Sequence, residues 1–279
     1  MTPAPATPQA AWDAVASDFD KFATPLTITL GNEILAEIEI QPGDRFLDVG
    51  AGSGALSIPA ARRGARVVAT DISPAMVERL RARAEAEGLA DVEARVMDAV
   101  ALDSPDGAFD VTGSQNGVTM LPDLTPGLAE MVRVTKAGGT VVIAAFGPPS
   151  KAEFLTFFAG ALEAVVPGSG ALLSGPPPPP FQVAEPARFH GVMSGAGLTG
   201  VEVRQVEWPM AFASAGDLWD FLMGSHPIGR MLAAPLDDDQ RGSVRQVLDG
   251  MLRERSGGGP AAVLTAVVNI ATGTKYERG

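Results

Sequence analysis

The sequence predicts an α/β protein built on a doubly wound, mostly parallel sheet of seven strands. Short apolar segments alternate with amphipathic segments of helical length over the first half of the chain. This order is typical of right-handed crossovers between parallel strands. A glycine-rich turn at residues 50–54, called the glycine turn below, joins the first apolar segment to a helix. After a helical insertion, the last strand should return antiparallel and close the sheet.

Seven strands are expected, at residues 45–49, 66–70, 92–97, 109–114, 140–146, 201–208 and 263–271. Ser73 should cap a helix with Pro74 at its first position, and Thr125 should do the same with Pro126. Pro59 should kink the helix after the glycine turn, because proline lacks the N–H that bonds to the preceding turn.

Further helices are expected from the spacing of apolar residues, at residues 10–24, 28–40, 151–166 and 186–196. The proline run at residues 176–180 indicates a stiff extended spacer. The insertion at residues 213–258 contains helix-capping signals at Ser214 and Asp237. Insertions of this kind lie over the carboxyl ends of the strands, where ligands bind in open α/β sheets.

These elements indicate one domain over residues 10–279, preceded by a disordered tail at residues 1–9. The lid and substrate region is expected to come from parts of residues 10–30, 150–185 and 213–258.

The composition limits the classes of function. The chain has 279 residues, no cysteine, two histidines and a net charge of −12. Disulfides and cysteine-bound metals are therefore excluded, no metal is expected, and an acidic surface disfavours nucleic acid as a partner. No apolar run suggests a membrane span and no secretion signal is seen, which favours a cytoplasmic location. The scarcity of lysine hints at a GC-rich bacterial genome. The oligomeric state is left open, with a homodimer as one option.

The glycine turn indicates a nucleotide-like ligand. Gly50, Gly52 and Gly54 lack the side chains that would block close approach, and the helix start offers backbone N–H groups. Asp71 ends the next strand about 20 residues later, where a carboxylate reaches the hydroxyls of a ribose. The ligand is therefore expected to contain a ribose.

The glycines alone leave two ligands open, because Gly50, Gly52 and Ala55 also satisfy the looser dinucleotide pattern. A nicotinamide-dependent oxidoreductase is thus one alternative. Three features favour another reading: Asp48 before the turn, the acidic end of the third strand at residues 97–99, and the segments at residues 109–116 and 133–143. Together they resemble a class I S-adenosylmethionine-dependent methyltransferase, and within that family the ubiquinone/menaquinone-type small-molecule branch.

The resemblance implies that S-adenosylmethionine is the cofactor. It places Asp48 at the ammonium of the cofactor, directly or through water, Asp71 at the ribose and Asp98 at the adenine amino group, with Gln115 or Asn116 near the methyl group. The full set of implied cofactor-binding residues is Phe19, Asp48, Gly50, Ala51, Gly52, Gly54, Asp71, Ile72, Met76, Asp98, Ala99, Gln115 and Asn116.

The expected reaction is methyl transfer to an oxygen, nitrogen or carbon atom of a small, fairly apolar metabolite. If that acceptor carries a proton, His226 is the candidate base, because it lies in the insertion and histidine titrates near neutral pH. A third alternative is a protein that binds the cofactor without transferring methyl, since residues 116–120 depart from the family pattern. Candidates to line the acceptor pocket are Met210, Phe212, Trp219, Phe221 and Met223.

Overall fold

The computed structural model describes residues 7–169 and 178–276. Seven strands form one sheet in the order β3-β2-β1-β4-β5-β7-β6, and β7 runs antiparallel to both of its neighbours while the other pairs are parallel. The predicted fold class is confirmed. The strands are β1 (Arg45–Val49), β2 (Arg66–Asp71), β3 (Val92–Val96), β4 (Phe109–Gln115), β5 (Thr135–Phe146), β6 (Leu198–Phe212) and β7 (Ala262–Lys275).

Helices cover both faces of the sheet. One core cluster includes Leu128 and Phe189 with Leu47 of β1, and the other includes Phe46 of β1 with Leu80 and Phe154. The helices are α1 (Pro8–Asp18), α2 (Thr24–Ile34), α3 (Ser57–Arg62), α4 (Pro74–Ala86), α5 (Thr125–Val134), α6 (Glu153–Val165), α7 (Pro186–Gly195), α8 (Ala215–Gly224), α9 (Pro227–Ala233) and α10 (Asp238–Ser256).

The chain start and the proline run differ from the sequence prediction. Helix α1 begins at Pro8 with Thr7 as its cap, so Pro8 and Gln9 are helical instead of part of a tail. Residues 1–6 lie outside the described residues. In the proline run, Pro178 is extended, but a 3₁₀ turn begins at Pro179. Pro176 also lies outside the described residues.

Two expectations at helix starts are wrong. Thr125 is the first residue of α5 and not its cap, because Asp123 accepts a hydrogen bond from its backbone N–H. Helix α3 begins only at Ser57, so Pro59 lies in its first turn, where backbone N–H groups lack intrahelical acceptors and proline causes no kink. The predicted cap at Ser73 is present, since its hydroxyl accepts from Met76 N at 3.1 Å.

The insertion folds as expected into helices, α8 to α10. Ser214 Oγ accepts from Asp217 N, and Asp237 forms a capping box with Gln240. Arg230 of α9 joins this insertion to α1, since it donates to Ala14 O at 2.9 Å and forms an ion pair with Asp18. In the part of the chain that the structure describes, no helix has both the length and the apolarity needed to cross a bilayer.

Candidate functional site

A pocket of about 320 Å³ opens at the carboxyl ends of the parallel strands. This is the edge at which open α/β sheets bind ligands. The structure brings together in its lining nearly all of the residues that the sequence singled out, including Ile72, Met76 and Ala99. Two of the predicted site residues, Asp48 and Gly54, do not line it. The pocket has a polar half, formed by Gly50, Ala51, Gly52, Asp71, Asp98 and Gln115, and an apolar half described below.

The glycine turn is held by hydrogen bonds within the protein. Gly50 N and Ala51 N both donate to Thr70 O, at 2.8 and 2.9 Å, and Gly52 N donates to Asp71 Oδ2 at 2.8 Å. These three N–H groups of the turn are therefore not free to bind a ligand, whereas the N–H groups expected to bind it belong to the helix start, and α3 begins only at Ser57. The turn itself offers close approach of the backbone.

Asp71 is fixed at the end of β2 by backbone donors. Its Oδ1 accepts from Ser73 N at 2.9 Å, while Oδ2 accepts from Gly52 N. Burial raises the pKa of the Asp71 carboxyl, and these two hydrogen bonds oppose that shift. Asp98, after β3, is likewise oriented by its own chain, because its Oδ1 accepts from Val100 N at 3.0 Å. Two carboxylates thus line the polar half.

Asp48 and Gly54 lie behind the pocket. Asp48 is completely buried, and its Oδ2 accepts from Ser57 Oγ at 2.5 Å. Burial raises the pKa of the Asp48 carboxyl to about 7. A Cβ at Gly54 would lie 2.9 Å from Ile58 and 3.2 Å from Leu80, so this glycine permits helix packing. Neither residue lines the pocket, although Asp48 Oδ1 has no hydrogen-bond partner among the described residues.

The ring of Phe19 packs against the glycine turn. This residue begins a π-helical turn, Phe19–Ala23, between α1 and α2, and such turns are frequent at functional sites. A Cβ at Gly52 would lie 3.5 Å from the Phe19 ring. Thr24, directly after the π-helical turn, is hydrogen-bonded to Ser53 of the glycine turn. The π-helical turn therefore places an aromatic face beside the backbone of the glycine turn.

Two amide oxygens at the end of β4 are buried without a hydrogen-bond partner among the described residues. They are Gln115 Oε1 and Asn116 Oδ1, and both residues line the pocket. Gln115 is tied to α2, because its Nε2 donates to Thr27 O at 2.8 Å. Buried acceptors without partners are costly in a folded protein. They are therefore suited to receive hydrogen bonds from a ligand.

His226 lines the pocket from the segment between α8 and α9. Its ring meets the ring of Trp12 edge to face, with centroids 5.1 Å apart. Burial lowers the pKa of His226 to about 4. The imidazole is therefore neutral at neutral pH, which leaves it able to accept a proton but only weakly basic.

The apolar half of the pocket is an aromatic wall that the sequence analysis mostly missed. Neighbouring rings pack with centroids 5.5 to 6.5 Å apart. A usable signal was the aromatic residue at the end of β5, the strand next to β4. Of the predicted lining residues, Phe221 does line the pocket, whereas Met210, Phe212 and Trp219 are core residues and Met223 packs against the core. The aromatic wall consists of Phe146, Phe154, Phe158, Phe181, Trp208 and Phe221.

Two side-chain amides, of the half-buried Gln182 and the buried Asn269, hold Phe181 in this wall. Gln182 Nε2 donates to Thr119 O and to Leu121 O, each at 3.0 Å. Asn269 of β7 donates to the carbonyl oxygens of Val183 and Ala184. Backbone hydrogen bonds from both amides make this segment a fixed part of the pocket.

The charged residues that line the pocket limit the charge that a bound ligand can carry. Among the described residues that line the pocket there is no lysine or arginine, whereas Asp71 and Asp98 are acidic. A pyrophosphate would meet no cationic partner here, and burying an unpaired charge is costly. A cationic or neutral ligand fits better.

Comparison with known proteins agrees with this geometry. Residues 46–139 match a methyltransferase domain family. An uncharacterized protein of Mycobacterium tuberculosis (strain H37Rv) is 40% identical over 136 residues, which cover 49% of this chain and 48% of that protein. The match thus spans about half the length of that relative.

A longer match is to a demethylmenaquinone methyltransferase of Mycobacterium sp. (strain KMS), 31% identical over 203 residues, or 71% of this chain and 85% of that protein. Among solved structures, phosphoethanolamine N-methyltransferase 2 of Haemonchus contortus, in complex with phosphomonomethylethanolamine and S-adenosylhomocysteine, has a TM-score of 0.62 at 16% identity. That comparison covers 98% of this chain and 61% of the other, and it supports the fold.

Proposed function

Because the chain belongs to the class I S-adenosylmethionine-dependent methyltransferases, we propose that it transfers the methyl group of S-adenosylmethionine to a small, fairly apolar metabolite. The observation that carries this proposal is the continuity of the pocket, whose polar half and aromatic wall form one cavity. A polar cofactor and an apolar acceptor bound there would be neighbours.

The residues of the polar half fit the cofactor. S-adenosylmethionine carries a sulfonium, an ammonium and a carboxylate, which give it a net charge of +1. The lining matches this positive charge, because it supplies carboxylates and buried amide oxygens without lysine or arginine among its described residues. Asp71 would hold the ribose and Asp98 the adenine amino group, while Ile72 and Met76 would pack against the adenine. Asp48 does not line the pocket, so it would reach the cofactor ammonium only through water.

Bound S-adenosylmethionine supplies an electrophilic methyl group. The protein's own contribution is to hold the acceptor atom in line with that methyl and to exclude water, and positioning of this kind is worth roughly 7–11 kcal/mol of barrier. The aromatic wall provides the dry surface. His226, neutral at neutral pH, would receive a proton only from a strongly acidic group, such as an acceptor atom that has just been methylated.

The acceptor is proposed to be uncharged. Apart from Asp71 and Asp98 in the polar half, and His226, the described lining holds no ionisable side chain. A phosphate or carboxylate on the acceptor would lose its hydration without gaining a partner.

Isothermal titration with S-adenosylhomocysteine tests the cofactor site. Gly52→Ala should weaken binding by roughly 5- to 150-fold, the equivalent of overpacking by 1–3 kcal/mol. Gly88→Ala is the matched control, because Gly88 also has a positive φ and nothing within 4 Å of a new Cβ. Equal affinities for the two variants would contradict the proposed site.

Transfer of a tritiated methyl group to a panel of apolar acceptors tests the reaction. Turnover of any acceptor excludes the alternative in which the protein only binds the cofactor. Stabilisation by NADH in place of S-adenosylhomocysteine would instead support the oxidoreductase alternative, against which the occupied N–H groups of the glycine turn argue.

A further inference from the structure

Asn116 has an unusual backbone conformation. Its φ is 54°, and within residues 7–169 and 178–276 it is the one residue other than glycine with a positive φ, while thirteen glycines share that region. Asparagine tolerates this conformation mainly because its side chain can hydrogen-bond locally. Asn116 Oδ1, however, is buried with no partner among those residues. A strained backbone whose side chain makes no compensating hydrogen bond within the protein indicates that the side chain binds a ligand.

The position of Asn116 identifies that role. Along the carboxyl edge of the sheet, Asp71 ends β2, Gly50 follows β1, Asn116 follows β4 and Phe146 ends β5, in the spatial order β2-β1-β4-β5. Asn116 therefore lies between the polar half and the aromatic wall. The segment after β4 lies close to the glycine turn, since a Cβ at Gly117, the residue after Asn116, would lie 2.9 Å from Gly50 Cα.

This inference rests on the proposed function. We infer that the Asn116 carboxamide orients the acceptor, because its Oδ1 accepts a hydrogen bond from an uncharged O–H or N–H group of that molecule. The oxygen or nitrogen of this group receives the methyl group. The substrate class is then an apolar molecule with one such donor. A lone pair of that atom forms the bond to the methyl carbon, and sulfur keeps the electron pair of the broken S–C bond. The methylated atom then releases its proton to neutral His226, which lines the same pocket, or to water at the pocket opening. The carboxamide itself takes no proton.

Gln115 Oε1, the other buried oxygen without a partner among the described residues that line the pocket, is a less suitable group for this role. Its amide is held toward α2 by the bond to Thr27, and Gln115 precedes Asn116 on the strand. Asn116 has no such tether among the described hydrogen bonds, which leaves its carboxamide available to an acceptor.

Matched probes test this inference without knowledge of the natural acceptor. In the presence of saturating S-adenosylhomocysteine, binding of 4-tert-butylphenol and of its methyl ether is measured by titration calorimetry. The unsubstituted protein should prefer the phenol by about 3- to 10-fold, the value of one uncharged hydrogen bond. Asn116→Gly, which keeps the positive φ without strain, should bind both probes equally.

Stability and cofactor measurements separate this effect from misfolding. Asn116→Gly should melt no lower than the unsubstituted protein and should bind S-adenosylhomocysteine within about twofold of it. Gly88→Asn places asparagine at another positive φ and should change stability but not the preference between probes. The inference is overturned if the unsubstituted protein binds neither probe or both equally, or if Asn116→Gly keeps the preference. Failure to bind S-adenosylhomocysteine would instead refute the proposed function.

Discussion

The polar half of the pocket and the aromatic wall are built in different ways. The polar half comes from consecutive strand ends within residues 50–115, and backbone hydrogen bonds such as Gly52 N to Asp71 hold it. The aromatic wall comes from separate elements between residues 146 and 221, and contacts between rings hold it, with side-chain amides fixing only the segment of Phe181. If the proposed function holds, the cofactor site depends on backbone geometry, whereas the acceptor site depends on side chains that substitution can change. The two halves should therefore respond separately to mutation.

Removing a ring from the aromatic wall should have the largest effect on stability. Phe154→Ala deletes a buried ring that packs on Phe221 and should lower the free energy of unfolding by about 3–5 kcal/mol. Affinity for S-adenosylhomocysteine should stay within about twofold. Urea denaturation and calorimetry measure the two quantities.

The control for this prediction is Phe189→Ala, which empties a comparable buried site in the other core cluster. It should destabilise the fold similarly and leave acceptor turnover per folded molecule unchanged. A large loss of cofactor affinity in Phe154→Ala alone would show that the two halves are not independent.

Asp71→Asn, in the polar half, should instead weaken cofactor binding. An amide cannot accept from both Gly52 N and Ser73 N through two oxygens, and a charge-assisted hydrogen bond is worth about 1.5–3 kcal/mol. Affinity for S-adenosylmethionine should fall by roughly 10- to 150-fold in calorimetry. The exposed Asp91→Asn is the control, and equal affinities for the two variants would refute the role of Asp71.

The pH dependence of the free energy of unfolding should distinguish the contribution of Asp48 from that of His226, because the two have opposite signs. The raised pKa of Asp48 means that the folded state keeps a proton which the unfolded chain loses, so its contribution to stability falls as pH rises from 3.8 to about 7. The lowered pKa of His226 has the opposite sign, and its contribution rises between pH 4 and 6.5. Over the shared range the two oppose each other.

Asp48→Asn should therefore expose the His226 contribution. Its stability should rise relative to that of the unsubstituted protein by at most about 1.4 kcal/mol per pH unit as pH increases through that range. Chemical denaturation at several pH values measures this slope. An identical pH dependence in the two proteins would contradict the raised pKa of Asp48.

The smallest effect is expected at the contact between α1 and the insertion. Arg230→Met removes hydrogen bonds to Ala14 O and Met223 O and the ion pair with Asp18. If α1 and α8–α9 act together as a lid, Arg230→Met should accelerate the release of S-adenosylhomocysteine about fivefold. This factor corresponds to a loss of about 1 kcal/mol of interaction free energy between α1 and the insertion. Stopped-flow fluorescence measures this rate. Arg241→Met on α10, whose ion pair with Asp238 is exposed, should leave it unchanged.

The sequence predicted local features better than distant ones. The glycine turn, Asp71 and the positions of the seven strands along the chain follow from short motifs and alternating periodicity, and the structure has them, with β5, β6 and β7 longer than expected. The burial of Asp48 and the packing role of Gly54 depend on Ser57, Ile58 and on Leu80 of α4, which no motif reveals.

The aromatic wall shows why the rest was missed. Phe146, Phe181 and Trp208 meet only after β5, the proline segment and β6 have folded together. The candidates chosen at the end of β6 and in the insertion were mostly core residues instead. The strain at Asn116 is likewise a property of the backbone, visible only in coordinates.

A crystal structure of the protein with S-adenosylhomocysteine tests the central claim most directly. The account predicts that the ribose hydroxyls lie within hydrogen-bond distance of Asp71 and that the sulfur lies beside Asn116, facing the aromatic wall. A ligand bound elsewhere, or one whose ribose does not contact Asp71, would contradict it.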